Sequence, residues 1–198
     1  MVAFVFTSLL GVTWGIVISI ITSMLLLIKY QARPAAKVLG VLRGTTDMCV
    51  DVKQFTDAHE LEGIKIFQFQ APLHFANKDH FEAKIRKMEG RCQWNSLNVV
   101  IVDCASINNI DITCIKMLER LQKRYASMKI DLIFANWRGR DMRDLLDRSG
   151  FYDMIDPSKF YLDMAPALEY AKMTVREIAM ASPEGAEMVS LTAKETIV

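Results

Sequence analysis

The first 28 residues contain no charged side chain, and this run constrains the fold more than any other feature of the chain. It is long enough to cross a bilayer, whose hydrocarbon core needs about 20 apolar residues. The first charges are Lys29, Arg33 and Lys37, all on the C-terminal side of the run. The positive-inside tendency therefore predicts that the chain from residue 29 onward lies in the cytosol.

The apolar run is longer than one upright helix requires. A single helix of 28 residues would measure about 42 Å, against a hydrocarbon core of about 30 Å. The segment Gly11–Gly15, GVTWG, favours a break into two short pieces, which would need the cover of a larger membrane domain. One strongly tilted helix fits the sequence equally well. In either case we predict one or more transmembrane segments over residues 1–30.

The rest of the chain alternates between strand and helix patterns. Apolar strand patterns occupy residues 38–42, 64–71, 97–102, 130–135 and 160–162. Helices are predicted to begin at Asn77, Asp111, Asp141 and Asp163, the first two of these residues acting as caps. This alternation predicts an α/β domain over residues 31–181, with helices on both faces of a central sheet.

Two of these helices have a defined apolar face, and the chain ends in a segment without periodicity. The apolar face of the helix that begins at Asp111 is expected to contain Ile112, Ile115, Leu118, Leu121, Tyr125 and Met128. The last helix is expected to bury Leu168, Ala171, Val175 and Ile178. Residues 182–198 show no clear period, so we predict a flexible tail.

The composition and the absence of certain motifs argue against several classes of function. The net charge is +1 with both signs mixed along the chain, so we expect no nucleic-acid partner. None of the four cysteines forms a CxxC pair, which indicates a reducing compartment without a disulfide framework. The three histidines lack metal-ligand spacing, and the chain has neither a GxGxxG nor a GK[ST] motif. We therefore expect no metal and no cofactor.

The strand-to-helix turn IVDCASINNIDITC, residues 101–114, is the first candidate site. A helix N-terminus favours negative charge, so a phosphate on Thr113 would be tolerated, although Asp111 would oppose it. A thiol nucleophile would be Cys104 or Cys114 with His74 as base, an arrangement that requires a stringent geometry. The favoured interpretation is simpler: Asp111 caps the helix, and no residue is catalytic.

Two further segments are candidates for partner contacts. The loop APLHFAN, residues 71–77, joins a strand to a helix, and Pro72, His74, Phe75 and Asn77 would form either a docking surface or a packed loop. The C-terminus ends in Glu195-Thr196-Ile197-Val198. PDZ domains capture a tail with a hydroxyl residue two positions before an aliphatic terminus, so Glu195, Thr196 and Val198 are a candidate PDZ ligand.

Several motifs together resemble one family. They are the apolar start, LGVLRGT at 39–45, APLHFAN at 71–77, DCASINNID at 103–111 and KFYLDMAPALEYA at 159–171. Their order is similar to the C-terminal end of SulP sulfate permeases, the solute-carrier sulfate/anion exchangers. That resemblance implies the last membrane segments, which are short in this family, followed by a cytosolic STAS domain. It also implies a mixed sheet of about four to five strands flanked by helices.

STAS domains are also similar to bacterial anti-sigma factor antagonists, in which a serine at the strand-to-helix turn is phosphorylated. By that resemblance Asp111 matches the Asp of their motif, Ile112 and Thr113 match two serines, and Cys114 matches a glycine. Because only Thr113 keeps a hydroxyl, the domain is expected to serve packing and partner contacts. A phospho-switch would rest on Thr113 and Asp111 alone.

The resemblance predicts the C-terminal fragment of a multi-pass sulfate/anion transporter of the plasma membrane. Its STAS domain would be a cytoplasmic regulatory, stabilising and dimerisation module, and not an enzyme. The membrane domain that forms the anion pathway would lie outside these 198 residues. The expected partners are the membrane, a second copy of the chain and a PDZ protein. The alternative is a membrane-tethered STAS signalling module that is phosphorylated or binds a nucleotide and does not transport.

Overall fold

The chain divides into two compact units, Met1–Pro34 and Ala35–Val198. The computed structural model describes residues 4, 7–8, 11–45, 48–90, 97–137, 147, 150 and 155–181. The predicted helix at 141–149 falls outside these residues except for Asp147. The predicted tail at 182–198 falls outside them completely.

The first unit contains helix α1, Val12–Ala32, of 21 residues. At 1.5 Å per residue it measures about 32 Å, close to the hydrocarbon thickness of about 30 Å. Its length and apolar composition suffice to cross a membrane. Residues 4, 7 and 8 are also helical, and Gly11 between the two pieces has a φ of 82°, which favours glycine. The break predicted at Gly11–Gly15 therefore lies at Gly11 itself.

Gly15 allows the piece before the break to approach α1 closely. It is the buried residue of α1, and a Cβ on it would lie 2.4 Å from the Cα of Thr7. Such an approach excludes every residue except glycine, a device typical of packed membrane helices. Gly15 is therefore a packing residue inside α1 and not part of the break.

The second unit is built on a mixed sheet. Its strands are β1 Ala36–Leu42, β2 Cys49–Asp51, β3 Ala58–His59, β4 Ile64–Phe69, β5 Val99–Asp103 and β6 Asp131–Ala135. The order is β2-β1-β4-β5-β6, with β3 also paired to β1. β1 is antiparallel to β2, β3 and β4, whereas β4, β5 and β6 are mutually parallel. The predicted α/β fold is confirmed.

Helices cover both faces of this sheet, as predicted. They are α2 Lys78–Glu89, α3 Ile112–Ser127 and α4 Met164–Ala181, with a short 3₁₀ helix at Pro157–Lys159. One apolar cluster joins α2 and α3 to residues such as Phe67, Val102 and Phe134. A second cluster joins α4 to the opposite face, around Ile101 and Ile133. Every residue of β5 is buried, because β5 lies in the middle of the sheet between both layers.

Four details differ from the sequence predictions. β2 and β3 were not predicted, and the strand expected at 160–162 is a single bridge between Phe134 and Phe160. Ile112 is 59% exposed, because a helical side chain lies over the preceding turn and α3 has none before Ile112. Ile178 is 43% exposed, since the 18-residue α4 is longer than the five- and six-residue strands it covers.

Candidate functional site

The two candidate segments of the sequence, the turn at 101–114 and the loop at 71–77, meet at the carboxyl ends of the parallel strands. The backbone N–H of Leu73 donates to the carbonyl of Asn109 at 2.9 Å. The N–H of Asp111 donates back to the carbonyl of Leu73 at 3.3 Å, and Leu73 forms a parallel bridge with Ile110. The two segments therefore form one site, which we call the Asp111 turn.

Asp111 joins the two segments through its carboxylate. One oxygen, Oδ1, accepts a hydrogen bond from the backbone N–H of Cys114 at 2.8 Å, so the predicted cap of α3 is confirmed. The other oxygen, Oδ2, accepts from the backbone N–H of Phe75 at 2.6 Å. A single side chain thus satisfies a backbone donor at the start of a helix and holds a loop 36 residues away in sequence.

The same contacts determine the ionisation of Asp111. Burial alone would raise its pKa and is the largest single influence. Hydrogen bonds from Cys114 and from Phe75, together with the nearby charge of His74, outweigh burial and lower the pKa of Asp111 below its ordinary value. The carboxylate is therefore ionised at neutral pH, and it is used as a fixed structural acceptor.

Thr113 lies half-buried in the first turn of α3. The helix N-terminus favours negative charge there, but the ionised Asp111 two residues earlier opposes a phosphate. Phosphorylation of Thr113 therefore stays a prediction. Ile112, between the two residues, presents an exposed apolar side chain to solvent.

The loop at 71–77 is closed from within by Asn77. This side chain is 2% exposed, its Oδ1 accepts from the N–H of His74, and its Nδ2 donates to the carbonyl of Pro72, both at 2.9 Å. Asn77 occupies the N-cap position of α2 but makes no side-chain cap bond, so the predicted capping role is wrong. The side-chain amide of Asn77 is instead used in its two hydrogen bonds to the backbone of the loop. Phe75 is 65% exposed, with the Lys78 Nζ 5.1 Å from its ring centroid.

Asp103 is a polar residue of this site to which the sequence predictions gave no role. It ends β5, is 2% exposed, and accepts from Gln68 Nε2 at 2.6 Å through one oxygen. The other oxygen accepts from Asn136 Nδ2 at 2.8 Å and from the Ala105 N–H at 3.0 Å. Its carboxylate therefore ties together the ends of β4, β5 and β6. The signal in the sequence is a lone acid that ends a fully apolar strand.

The cysteines of the turn are buried and poor nucleophiles. Burial, with the charge of Asp103, raises the pKa of the Cys104 thiol well above its usual value. Burial and the Asp111 carboxylate raise the pKa of the Cys114 thiol to about 12. Because the thiolate is the reactive form, both side chains behave as small apolar groups of the core.

The family model of the STAS domain matches residues 56–167, which is more than half of the chain. The chain belongs to the STAS domain family. Both parts of the Asp111 turn lie within the matched range, so the site just described is part of the STAS domain itself.

The relatives of this STAS chain include several sulfate transporters, which confirms the resemblance seen in the motifs. Sulfate transporter 4.1, chloroplastic, of Arabidopsis thaliana is 25% identical over 171 residues, 82% of this chain and 25% of the relative. Prestin of Mus musculus is 34% identical over 87 residues, 44% of this chain and 12% of the relative.

Solved structures give the same fold. The murine Solute Carrier 26 family member A9 anion transporter, in its inward-facing state, aligns over 87% of this chain and 28% of its own, with a TM-score of 0.75 and 22% identity. The chain thus spans about a quarter of the length of the curated sulfate transporters it matches.

Proposed function

We propose that the chain is the C-terminal portion of a sulfate or anion transporter, with the STAS domain as its cytosolic regulatory, stabilising and dimerisation module. One observation carries the proposal: similarity to a sulfate transporter extends over 82% of the chain. The apolar helix α1, which precedes the second unit directly in sequence, supports it.

The geometry of the Asp111 turn supports a role of the STAS domain in stability and partner contacts. Its carboxylates hold backbone and amide groups, and its thiols are protonated, so the site offers no activated nucleophile among the residues described above. The chain is about a quarter of the length of its relatives, so we propose that transport also requires further membrane segments.

The test is a chimera. The matching part of the Arabidopsis thaliana Sulfate transporter 4.1 is replaced by this chain, and sulfate uptake is measured in a host that lacks sulfate transport. Uptake above that of the same transporter truncated before the match would support the proposal. A chimera that reaches the membrane in normal amounts, yet takes up no more sulfate than the truncated form, would contradict it.

A second variant is the same chimera with Asp111→Ala, which removes the hydrogen bonds that hold the turn but leaves α1 intact. If the STAS domain stabilises the transporter, this variant takes up less sulfate because less folded transporter accumulates. Uptake per folded molecule then stays the same, which separates stabilisation from a direct role in transport.

We propose two partners for the module, a second copy of the chain and a PDZ-domain protein at the plasma membrane. Glu195, Thr196 and Val198 lie outside the described residues, so the PDZ proposal rests on their sequence pattern. Removal of Val198 should abolish capture by an array of PDZ domains, because Glu195 then replaces Thr196 two positions before the terminus. Cross-linking of the detergent-solubilised chain should give a dimer, and a monomer at all protein concentrations would refute the pairing.

A further inference from the structure

A cavity of about 280 Å³ lies at one edge of the sheet, between β1, the end of β2 and α2. β2 pairs with β1 only from Leu39 to Val41, so the start of β1 is open on that side. Buried Phe67 and Met88 provide an apolar floor. The charged lining residues are Asp51 and four lysines: Lys37, Lys53, Lys84 and Lys87.

The single carboxylate of the lining is already occupied. Lys37 Nζ lies 3.4 Å from Oδ2 of Asp51, whose side chain is 10% exposed. Oδ1 of Asp51 accepts from the backbone N–H of Lys53 at 3.0 Å. Asp51 therefore neutralises Lys37 and has little capacity left for another cation.

The other three lysines of the lining are not neutralised by Asp51. Within the described part of the chain, Lys53, Lys84 and Lys87 form no ion pair. Lys84 and Lys87 are three residues apart on α2, a spacing at which like charges repel. A concave surface with apolar walls concentrates the field of such charges. The lining of the cavity thus carries an excess of about three positive charges.

We propose that this cavity binds a small multivalent anion that carries phosphate groups. Lysine ammonium groups are compact charges that bind phosphate as point charges, without the planar fork that arginine offers to carboxylates. The volume lies just below that of typical ligand sites, which begin at about 300 Å³, and so suits one or two phosphate groups and not a large ligand.

Two sources can supply such a group: a soluble polyphosphate or the phosphorylated headgroup of a lipid. Ala35, which lines the cavity, follows the last residue of α1 by three positions in the sequence. A headgroup at the membrane that α1 would enter is therefore a source that the experiment must separate from a soluble anion.

The experiment measures lysine protection in the full chain. The detergent-solubilised chain is acylated at its amines with and without pyrophosphate, and modification is quantified for each lysine by mass spectrometry. Lys84 and Lys87 should be protected, while Lys116 and Lys123, exposed on α3, should react equally in both samples. Sodium chloride at matched ionic strength should give no such protection, since general screening acts on all four.

Paired variants provide the affinity test. Lys84→Gln with Lys87→Gln should weaken pyrophosphate binding roughly 25-fold in calorimetry, at about a factor of five for each surface lysine. The matched pair Lys116→Gln with Lys123→Gln changes the net charge equally and should alter binding less than about twofold. Glutamine keeps helix propensity, and circular dichroism confirms that each variant folds. Lys84→Glu with Lys87→Glu should abolish binding.

Absence of protection by pyrophosphate, or equal loss of binding in both glutamine pairs, overturns the proposal. The lipid arm repeats the acylation in nanodiscs with and without phosphatidylinositol 4,5-bisphosphate. Protection of Lys84 and Lys87 there, in addition to protection by pyrophosphate, assigns the ligand to a headgroup. Protection by pyrophosphate alone assigns it to a soluble anion.

Discussion

The Asp111 turn and the lysine-lined cavity both carry charge, but the protein treats the two charges in opposite ways. At the turn, each carboxylate oxygen of Asp111 accepts a hydrogen bond from a backbone N–H. At the cavity, the ammonium groups of Lys84 and Lys87 form no ion pair with the described residues. The number of charges is therefore a poor guide to a binding site. Charges without an ion-pair partner are a better one.

Asp103 extends the comparison. It is more buried than any lysine of the cavity, yet Gln68, Asn136 and Ala105 occupy both of its oxygens. A buried carboxylate with its donors in place stabilises the ends of three strands and offers nothing to a ligand. The fully bonded polar groups of the STAS domain are thus structural, and mutations at the two kinds of site should have separable effects.

The largest effect is expected from Asp111→Ala. The change removes a helix cap, at about 1 kcal/mol, and a hydrogen bond from Phe75 to a charged acceptor, at about 1.5 kcal/mol or more. The free energy of unfolding should fall by about 2 to 3 kcal/mol in urea denaturation. Asp111→Asn is the matched control, since it keeps an oxygen for the cap and should lose less. A loss below about 0.5 kcal/mol for Asp111→Ala would show that the turn is not held by its carboxylate.

A smaller effect is expected from acid. The pKa of Asp111 is lowered in the folded state, so its stabilisation is complete above the unfolded value of about 3.9 and is lost as the pH falls toward the folded value. The difference in unfolding free energy between wild type and Asp111→Asn should be constant near neutral pH and shrink below about pH 4. A difference that instead grows on acidification would mean that the folded state favours the protonated carboxyl group.

The smallest effect on stability is expected at the cavity. Lys84→Gln with Lys87→Gln should change the unfolding free energy by no more than about 0.5 kcal/mol without ligand, because no ion pair among the described residues is broken. Removal of the repulsion between Lys84 and Lys87 on α2 favours a slight increase in the free energy of unfolding. Urea denaturation beside the Lys116→Gln with Lys123→Gln pair checks this. A loss as large as that of Asp111→Ala would mean that these lysines have a structural role.

The sequence predicted the parts of this fold that depend on local pattern. The unbroken apolar run of β5, the periodic face of α3 and the cap at Asp111 all follow from side-chain spacing and capping chemistry. β2 and β3 have three and two residues, too short for any period to emerge. They form because β1 supplies a long partner.

Contacts distant in sequence could not be predicted in the same way. The bond from Phe75 to Asp111 joins residues 36 positions apart, and nothing local to either specifies it. Asn77 shows a different limit. Its residue type and its position at a helix start predict a cap, yet its side-chain amide forms hydrogen bonds with Pro72 and His74 in the preceding loop. The cavity needs β1, β2 and α2 together, so its lysines look unrelated until the strands are paired.

One measurement tests the comparison most directly: the thermal unfolding midpoint of the full chain with and without pyrophosphate, for three proteins. A ligand that binds only the folded state raises the midpoint, whatever the starting stability. We predict that pyrophosphate raises it for wild type and for the less stable Asp111→Ala, and raises it much less for Lys84→Gln with Lys87→Gln, whose affinity is expected to be lower. An equal rise in all three, or no rise in wild type, would contradict the assignment of the turn to structure and of the cavity to ligand binding.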